Sequence, residues 1–301
     1  MHQSPLKEIH ASCGARLLPE GEARALLTYG DVPGEYAAAT TAWVILDETD
    51  RGALAVTGAD ASSFLHSLLA NEVRNLPVGH SISNLLLDPK GKVRFTLELT
   101  RADENELRAS TEAGQAGALS QALDMYLFSE DVVLTETTEQ HAPITIAGPV
   151  AEEQLRGLSE EPLPSEGGAT LTIKGLPVFA SPTTRAGLAA WTLDAGSEHA
   201  ADLWSALVDA GAQPIGRIAL DSLRAEACVG QAGEDIDDTL YPQEARLEEA
   251  FSLDKGCYIG QEVVAKIDTY GGLNKRLCLL SVDHDDFVPR GTRLYREDPD
   301  S

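Results

Sequence analysis

The chain has 301 residues, of which 43% are hydrophobic, and a formal net charge of −25. This length and composition provide enough apolar surface for one large domain or two to three small ones. Because the negative charge repels phosphate backbones, we expect no direct nucleic-acid binding. No run of about 18 apolar residues predicts a membrane span, and the N-terminus lacks the apolar stretch of a secretory signal, so we expect a cytoplasmic protein with no membrane partner.

The first third of the chain predicts an arm followed by short elements. Residues 1–35 mix glycine, proline and charge, and we expect an N-terminal arm with a helical patch near residues 22–30 that packs on a later domain. Residues 42–57 predict two short strands around a polar turn. Asp60 is placed to cap a helix with a stripe of apolar residues within 64–69.

The middle of the chain predicts hairpins and amphipathic helices. NLLLDPKGKVRFTLEL, residues 84–99, predicts a β-hairpin because a Pro-Lys-Gly turn separates two strand-like runs. Helical periodicity follows in residues 114–128 and 215–230, and Ser197 is placed to cap a helix that ends at Gly211. Strand-like runs lie between these segments without a strict βαβ rhythm. The sequence therefore predicts an α+β protein with antiparallel sheets.

The four cysteines are far apart in the sequence, at positions 13, 228, 257 and 278. They form no C-x-x-C pair and have no metal-like spacing to a histidine, so we expect free thiols and no metal site. An aspartate-rich stretch at 235–238 lacks EF-hand spacing and favours a solvated loop over a calcium site. Cys278 lies in the apolar run LCLLSV, which predicts a buried strand, and His66 is predicted at a surface or an interface.

The segment KGCYIGQE, residues 255–262, does not have the composition of a core strand. The following residues predict a short helix with an acid in its first turn, so Cys257 precedes a helix N-terminus and lies two residues after Lys255. Both features favour a thiolate, and the glycines allow a tight turn. A structural turn with an incidental cysteine is the alternative. The candidate functional residues are Cys257 and Lys255, within a motif that also contains Gly256, Tyr258, Gly260, Gln261 and Glu262.

Residues 223–277 closely resemble the YgfZ family of folate-binding proteins. The matching pieces are LRAEA, GEDI, YPQEARLEEAFSLDKGCYIGQEVVAKI and GGLNKRL, and KGCYIGQE is the hallmark of that family. RGALAVTGADASSFLHSLLANEV and LLLDPKGKV are similar to the wider superfamily that includes the glycine-cleavage T-protein, an aminomethyltransferase. The resemblance extends over residues 42–290.

The resemblance implies a T-protein-like ring of subdomains around a central folate pocket, followed by a small β-barrel. Residues 1–270 are expected to form the folate-binding module, as two interleaved subdomains, and residues 271–301 the start of an abbreviated barrel. The implied ligand is tetrahydrofolate or a derivative. The implied role of this monomeric protein is to support iron–sulfur assembly or repair in client enzymes, and indirectly tRNA modification, with the family cysteine, here Cys257, taking part.

Three positions depart from the T-protein pattern. T-proteins carry an acidic pair after the G-x-V turn, where this chain has Phe95 and Thr96, and a pterin-binding glutamate where it has Ala189. These losses argue against aminomethyl transfer, which is the alternative function, and a scaffold that has lost folate is another. The residues expected at the folate pocket are Arg224, Glu226, Trp191 and Arg185, with Arg185 or Lys255 facing the glutamate tail.

Overall fold

The computed structural model describes residues 4–18, 26–283, 288–289 and 291–293. This part of the chain has a mixed α/β fold with two open sheets, each covered by helices on its outer face, and a small two-stranded ribbon. The predicted mixture of helices with antiparallel sheets is confirmed. No helix among the described residues is long and apolar enough to cross a membrane.

The larger sheet has six strands in the order β10-β11-β12-β9-β3-β13. All neighbouring strands are antiparallel except β13, which runs parallel to β3. In chain order its strands are β3 Val44–Asp47, β9 Ile144–Ala147, β10 Ala169–Ile173, β11 Leu176–Arg185, β12 Leu188–Asp194 and β13 Gln213–Pro214. The ribbon pairs β1 Arg16–Leu17 with β2 Leu26–Thr28.

The smaller sheet has five antiparallel strands in the order β5-β6-β7-β4-β8. These strands are β4 Gly52–Thr57, β5 Ser81–Leu87, β6 Val93–Asp103, β7 Glu106–Thr111 and β8 Val133–Glu136. The predicted hairpin is β5 and β6. The two strands predicted within residues 42–57 are also confirmed, but β3 and β4 belong to different sheets because the chain crosses between the sheets at residues 48–51.

The described residues contain eight α-helices that pack against the sheets. They are α1 Lys7–Ser12, α2 Val32–Thr41, α3 Ala61–Leu68, α4 Ala116–Asp124, α5 Ala151–Leu158, α6 Ala200–Asp209, α7 Arg217–Glu226 and α8 Gln261–Tyr270. On the outer face of the five-stranded sheet, alternate apolar residues of β6 such as Leu97 and Leu99 pack under α3 and α4. On the six-stranded sheet, Trp191 and Leu193 pack with Trp204 of α6 in a second core.

Because successive strand residues point to opposite faces, the polar positions of both sheets face inward. Glu98 and Thr100 of β6 occupy one inner face, and Thr192 and Asp194 of β12 occupy the other. The two inner faces meet across a cleft, and this arrangement places the candidate site.

The N-terminal arm is anchored by one apolar and one polar contact. Leu6 is fully buried in the core of the six-stranded sheet. His10 Nε2 lies 2.8 Å from Asp47 Oδ2, and the Tyr29 hydroxyl lies 2.9 Å from His10 Nδ1. The edge of the His10 ring also packs against Trp204. Part of the predicted helical patch at residues 22–30 lies outside the described residues, and its end forms strand β2 rather than a helix.

The two predicted capping side chains do not cap their helices. Asp60 occupies the N-cap position of α3, but its Oδ2 accepts from Asp131 N at 2.9 Å, a contact that ties α3 to the start of β8. The Ser197 hydroxyl donates to Glu139 O, because residues 197–199 form a separate 3₁₀ turn before α6. In both cases a residue type that commonly caps helices makes a tertiary contact instead.

The prediction that Cys278 is buried in a strand is wrong. Residues 271–283 contain no strand, Cys278 is exposed, and the side chains of Leu279 and Leu280 are 55% and 60% exposed. An apolar run becomes a strand only when a neighbouring strand accepts its backbone hydrogen bonds, and this run has no such neighbour in the described residues. No barrel is formed by the described residues of the expected barrel segment; residues 284–287, 290 and 294–301 of that segment lie outside them.

A buried carboxylate on α2 joins three elements. Glu35 is 1% exposed, and it accepts from Thr28 Oγ1 at 2.6 Å, Tyr29 N at 2.7 Å and Gly216 N at 2.8 Å. It therefore holds β2 and the start of α7 against α2. A carboxylate can accept all three bonds, whereas an amide has one accepting oxygen and a nitrogen that only donates.

We expect Glu35→Gln to destabilise the protein by about 2–3 kcal/mol, because buried donors lose a charged acceptor. The measurement is the urea midpoint, compared at constant m-value. Glu152→Gln is the control, since this glutamate lies in an exposed i,i+4 pair with Arg156 and should change stability by less than about 0.5 kcal/mol. Equal midpoints for the two variants would contradict the proposed clamp.

Candidate functional site

A cleft lies between the inner faces of the two sheets. The space enclosed by its walls is about 710 Å³, including open solvent at its mouth. Its walls combine cationic, anionic, hydroxyl and apolar side chains. The lining residues are Arg51, Ala53, Glu98, Thr100, Arg108, Ala109, Ser110, His141, Pro143, Phe179, Ser181, Arg185, Thr192 and Asp194.

The two crossings between the sheets bring polar residues to the cleft. The first crossing, at residues 48–51, begins with Glu48 and ends with Arg51. The second crossing, between β8 and β9, carries His141. Arg51 Nε donates to Ser110 Oγ at 2.9 Å, which fixes the guanidinium against strand β7. Local strand periodicity does not reveal these side chains, because they lie on connections.

Arg185 forms an ion-pair bridge between the two sheets. Its Nε lies 2.9 Å from both Glu48 carboxylate oxygens, and one of its terminal nitrogens lies 3.3 Å from Glu98 Oε2. All three side chains are 12–18% exposed. The guanidinium of β11 thus neutralises one carboxylate from the crossing between the sheets and one from the five-stranded sheet, and burial strengthens this attraction.

The bridge determines the ionisation of Glu48. Burial alone would raise the pKa of Glu48 above 4.5, but the charges of Arg185 and Arg51 and a hydrogen bond from Thr145 outweigh it and lower the pKa to about 2. The same carboxylates raise the pKa of Arg185 despite its burial. Both groups are therefore ionised at neutral pH.

A histidine–carboxylate pair lies on another part of the wall. His141 Nδ1 is 2.5 Å from Asp194 Oδ2. Burial would raise the pKa of Asp194, but the hydrogen bond and charge of His141, with backbone donors, lower it. The carboxylate of Asp194 is consequently held as an anion beside the imidazole.

The positions that are acidic in T-proteins lie on the two faces of β6. Phe95 packs against the apolar outer core, and Thr96 is on the inner face. Glu98, two residues further on, shares the inner face with Thr96 and lines the cleft. The cleft thus contains carboxylates, although the acidic pair itself is absent.

The four predicted folate contacts are separated in the structure. Arg185 lines the cleft, but Trp191 is buried in the core on the opposite face of the six-stranded sheet. Arg224 and Glu226 lie on α7, outside the cleft lining; Arg224 pairs with Asp235 at 2.6 Å, and Glu226 accepts from the Tyr36 hydroxyl at 2.8 Å.

The cysteine motif forms a separate loop that is pinned on both sides. Lys255 Nζ donates to His66 O, and His66 Nε2 lies 3.1 Å from Lys255 O. On the other side, Tyr258 is buried in a small apolar cluster. Cys257 is exposed between these two anchors. None of the motif residues 255–262 lines the cleft.

Burial of half of the Lys255 side chain lowers its pKa to about 8, assisted by Arg74 and opposed by Glu72 and Cys257. His66 was predicted at a surface or an interface, but its side chain is only 8% exposed, and burial and the charge of Lys255 lower its pKa. This prediction was wrong because the loop at 255–258 covers α3, a contact across 189 residues.

The motif glycines have a geometric role. Gly260 has φ +81°, and a Cβ there would lie 2.7 Å from Asp88 O in the β5–β6 turn. Gly256 has φ +105°. Only glycine adopts such angles without strain, and Gly260 also allows close packing of two turns. Gln261 and Glu262 open α8, as predicted.

No cluster of three or more potential metal ligands occurs among the residues that the structure describes.

The profile of the GCVT N-terminal domain family matches residues 6–255, more than four fifths of the chain. This chain belongs to that family. Two relatives carry the name aminomethyltransferase. The one from Herpetosiphon aurantiacus is 27% identical over 90% of this chain and 76% of its own length, and the one from Chloroherpeton thalassium is 29% identical over 87% and 74%.

The fold of this GCVT-family chain is shared with a solved structure. The crystal structure of the glycine cleavage system aminomethyltransferase T from Bartonella henselae aligns with a TM-score of 0.77 at 24% identity, covering 89% of this chain and 74% of that one. The predicted superfamily and its fold are thereby confirmed. The relatives named above are called aminomethyltransferases, so membership of the YgfZ subfamily stays a prediction.

Proposed function

We propose that this protein binds a tetrahydrofolate in the cleft between its two sheets. The observation that carries the proposal is the wall of the cleft, where Glu98 and Arg185 meet across the two sheets of an aminomethyltransferase-type fold. The ligand class follows from the resemblance of the sequence to folate-binding proteins.

The side chains in the cleft fit the chemistry of a folate. A pterin ring presents a row of N–H donors, for which the carboxylate of Glu98 is a charge-assisted acceptor. Phe179 and Pro143 provide apolar surface for the rings. Arg51 and Arg108 provide guanidinium groups suited to the carboxylates of the glutamate tail. When bound, the folate would supply a one-carbon carrier.

We expect wild-type protein to bind tetrahydrofolate saturably in anaerobic calorimetry, and Glu98→Gln to weaken binding about tenfold, the value of about 1.4 kcal/mol for one charged hydrogen bond. Glu153→Gln, an exposed change on α5, is the control and should bind as wild type does. Absence of binding by folded wild-type protein would refute the proposal.

We further propose that the protein is a YgfZ-type accessory factor for iron–sulfur proteins. This finer role is supported by Cys257, which is exposed while its neighbours on the loop are anchored. A thiol presented in this way can reach a partner protein, whereas a thiol deep in the cleft could not. The expected partners are iron–sulfur client enzymes or assembly factors.

Aminomethyl transfer is the second candidate, and the position of Glu98 favours it. Its carboxylate is on the face of β6 that bears Thr96, so the cleft has an acid near the position expected of a transferase. The two candidates differ in turnover. A transferase converts tetrahydrofolate and an aminomethyl donor into methylenetetrahydrofolate, whereas an accessory protein binds the folate without forming product.

A further inference from the structure

His141 and Asp194 form a pair that combines a fixed carboxylate with an imidazole on the cleft wall. Asp194 Oδ2 is 2.5 Å from His141 Nδ1, and its other oxygen accepts from Gly196 N at 3.0 Å and Ala142 N at 3.2 Å. The carboxylate is therefore held from both sides by the ends of two neighbouring strands, β9 and β12.

This arrangement selects one tautomer of the imidazole. An ionised carboxylate only accepts hydrogen bonds, so His141 Nδ1 carries a proton, and in the neutral imidazole Nε2 keeps its lone pair. The His141 side chain is 20% exposed and lines the cleft. In that form, Nε2 is available to accept a hydrogen bond from a molecule in the cleft.

A second histidine–aspartate pair in the same protein is closed to ligands, in contrast to the pair of His141 and Asp194. His10 also contacts a carboxylate, that of Asp47, but its side chain is 3% exposed, and its other nitrogen is 2.9 Å from the Tyr29 hydroxyl. Both nitrogens of His10 are used within the core. The pair at His10 anchors the N-terminal arm, whereas the pair at His141 is open to a ligand.

Other charged groups share the cleft with His141. Arg51 and Arg108 lie on the wall formed by the five-stranded sheet, and the pair of Arg185 and Glu98 spans both sheets. Glu48 stands beside Arg185. The guanidiniums stay charged at all pH values of interest, and the carboxylate of Glu48 is ionised well below neutral pH.

We infer that His141, oriented by Asp194, is a hydrogen-bond acceptor of the cleft, and that its Nε2 accepts a hydrogen bond from an N–H group of the bound tetrahydrofolate. Asp194 acts as a positioning residue, because it holds the Nδ1 side of the ring and turns Nε2 towards the ligand. This inference rests on the proposed function.

The experiment measures tetrahydrofolate binding at pH 8 by anaerobic calorimetry for wild type, His141→Asn and His199→Asn. Asparagine keeps a donor for Asp194 but has no ring nitrogen that accepts from the ligand. We expect His141→Asn to bind about tenfold more weakly than wild type, with the His199 control binding as wild type does.

Nitrogen-15 spectra of labelled histidine provide a readout that needs no ligand. The signals absent from His141→Asn identify this residue, and we expect the neutral imidazole to carry its proton on Nδ1 and none on Nε2. A neutral ring with its proton on Nε2, or equal affinities for wild type and His141→Asn, would overturn the inference while leaving folate binding intact. No binding by wild-type protein would overturn both the proposed function and this inference.

Discussion

Replacing Arg185 with methionine should lower stability at pH 7 by about 3–5 kcal/mol, because Glu48 and Glu98 then remain largely buried without the guanidinium that pairs with both of them. At about 2 °C per kcal/mol for a chain of this size, the midpoint of thermal unfolding should fall by about 6–10 °C. Glu48 and Glu98 are only 12% and 18% exposed, so solvent cannot replace the guanidinium. Scanning calorimetry of both proteins measures the difference.

The pH dependence of this loss has a definite sign. In the wild type the pKa of Glu48 is lowered from 4.5 to about 2, so its stabilising contribution is present above pH 4.5 and is lost as the pH falls towards 2. In the variant, the burial that raises the pKa of Glu48 is no longer offset by Arg185, so acidification protonates this carboxylate more readily and relieves its unfavourable burial. The stability difference between wild type and variant should therefore narrow as the pH is lowered from 7 to 4.

Two further variants separate charge from packing. Arg185→Met combined with Glu48→Gln should recover part of the lost stability, because one of the uncompensated charges is gone. Arg156→Met removes an arginine from an exposed pair and should cost no more than about 0.5 kcal/mol. An Arg185→Met protein with wild-type stability at pH 7 would show that the bridge between the sheets is not a stabilising element.

Cys257→Ala should abolish the ability of this protein to restore iron–sulfur enzyme activity in cells that lack such an accessory factor, while leaving its fold unchanged. The side chain is exposed, and surface changes of this kind usually alter stability by less than about 0.5 kcal/mol. Iron–sulfur enzyme activity in extracts and thermal unfolding of the purified variant test the two parts separately.

Matched controls are available for the cysteine. Cys13→Ala removes another exposed thiol and should retain full activity. Cys257→Ser keeps a small polar group but loses the nucleophilic sulfur, and it should fail as the alanine variant does. Full restoration by Cys257→Ala would refute the role of the thiol and would leave folate binding as the remaining proposal.

The sequence predicted most of the local structure because local patterns determine it. The alternation of apolar and polar residues in VRFTLEL correctly predicted strand β6 and its two faces. The Pro-Lys-Gly turn correctly predicted the hairpin of β5 and β6. The apolar run around Cys278 was misleading, because a strand also needs a partner, and the pattern of one segment does not reveal one.

The cleft was harder to predict because it depends on contacts between distant segments. Trp191 and Thr192 are adjacent in the sequence, yet one lies in the core and the other on the cleft wall, and only the pairing of β12 decides which. His141 and Asp194 are 53 positions apart and match no motif. The sequence gives only a weak indication that these residues share a site, because each is simply a polar residue at or near the end of a strongly apolar strand.

The order of strands in the six-stranded sheet has a consequence for synthesis of the protein. Ile45 of β3 pairs with Ile146 of β9, so about a hundred residues, including the whole five-stranded sheet, are synthesised between these two neighbouring strands. Closing so long a loop is slow, and chains generally fold from the N-terminus as they emerge from the ribosome. The apolar strand Val44–Asp47 thus has no neighbouring strand early in synthesis, and the cleft is completed only after residue 194 has emerged.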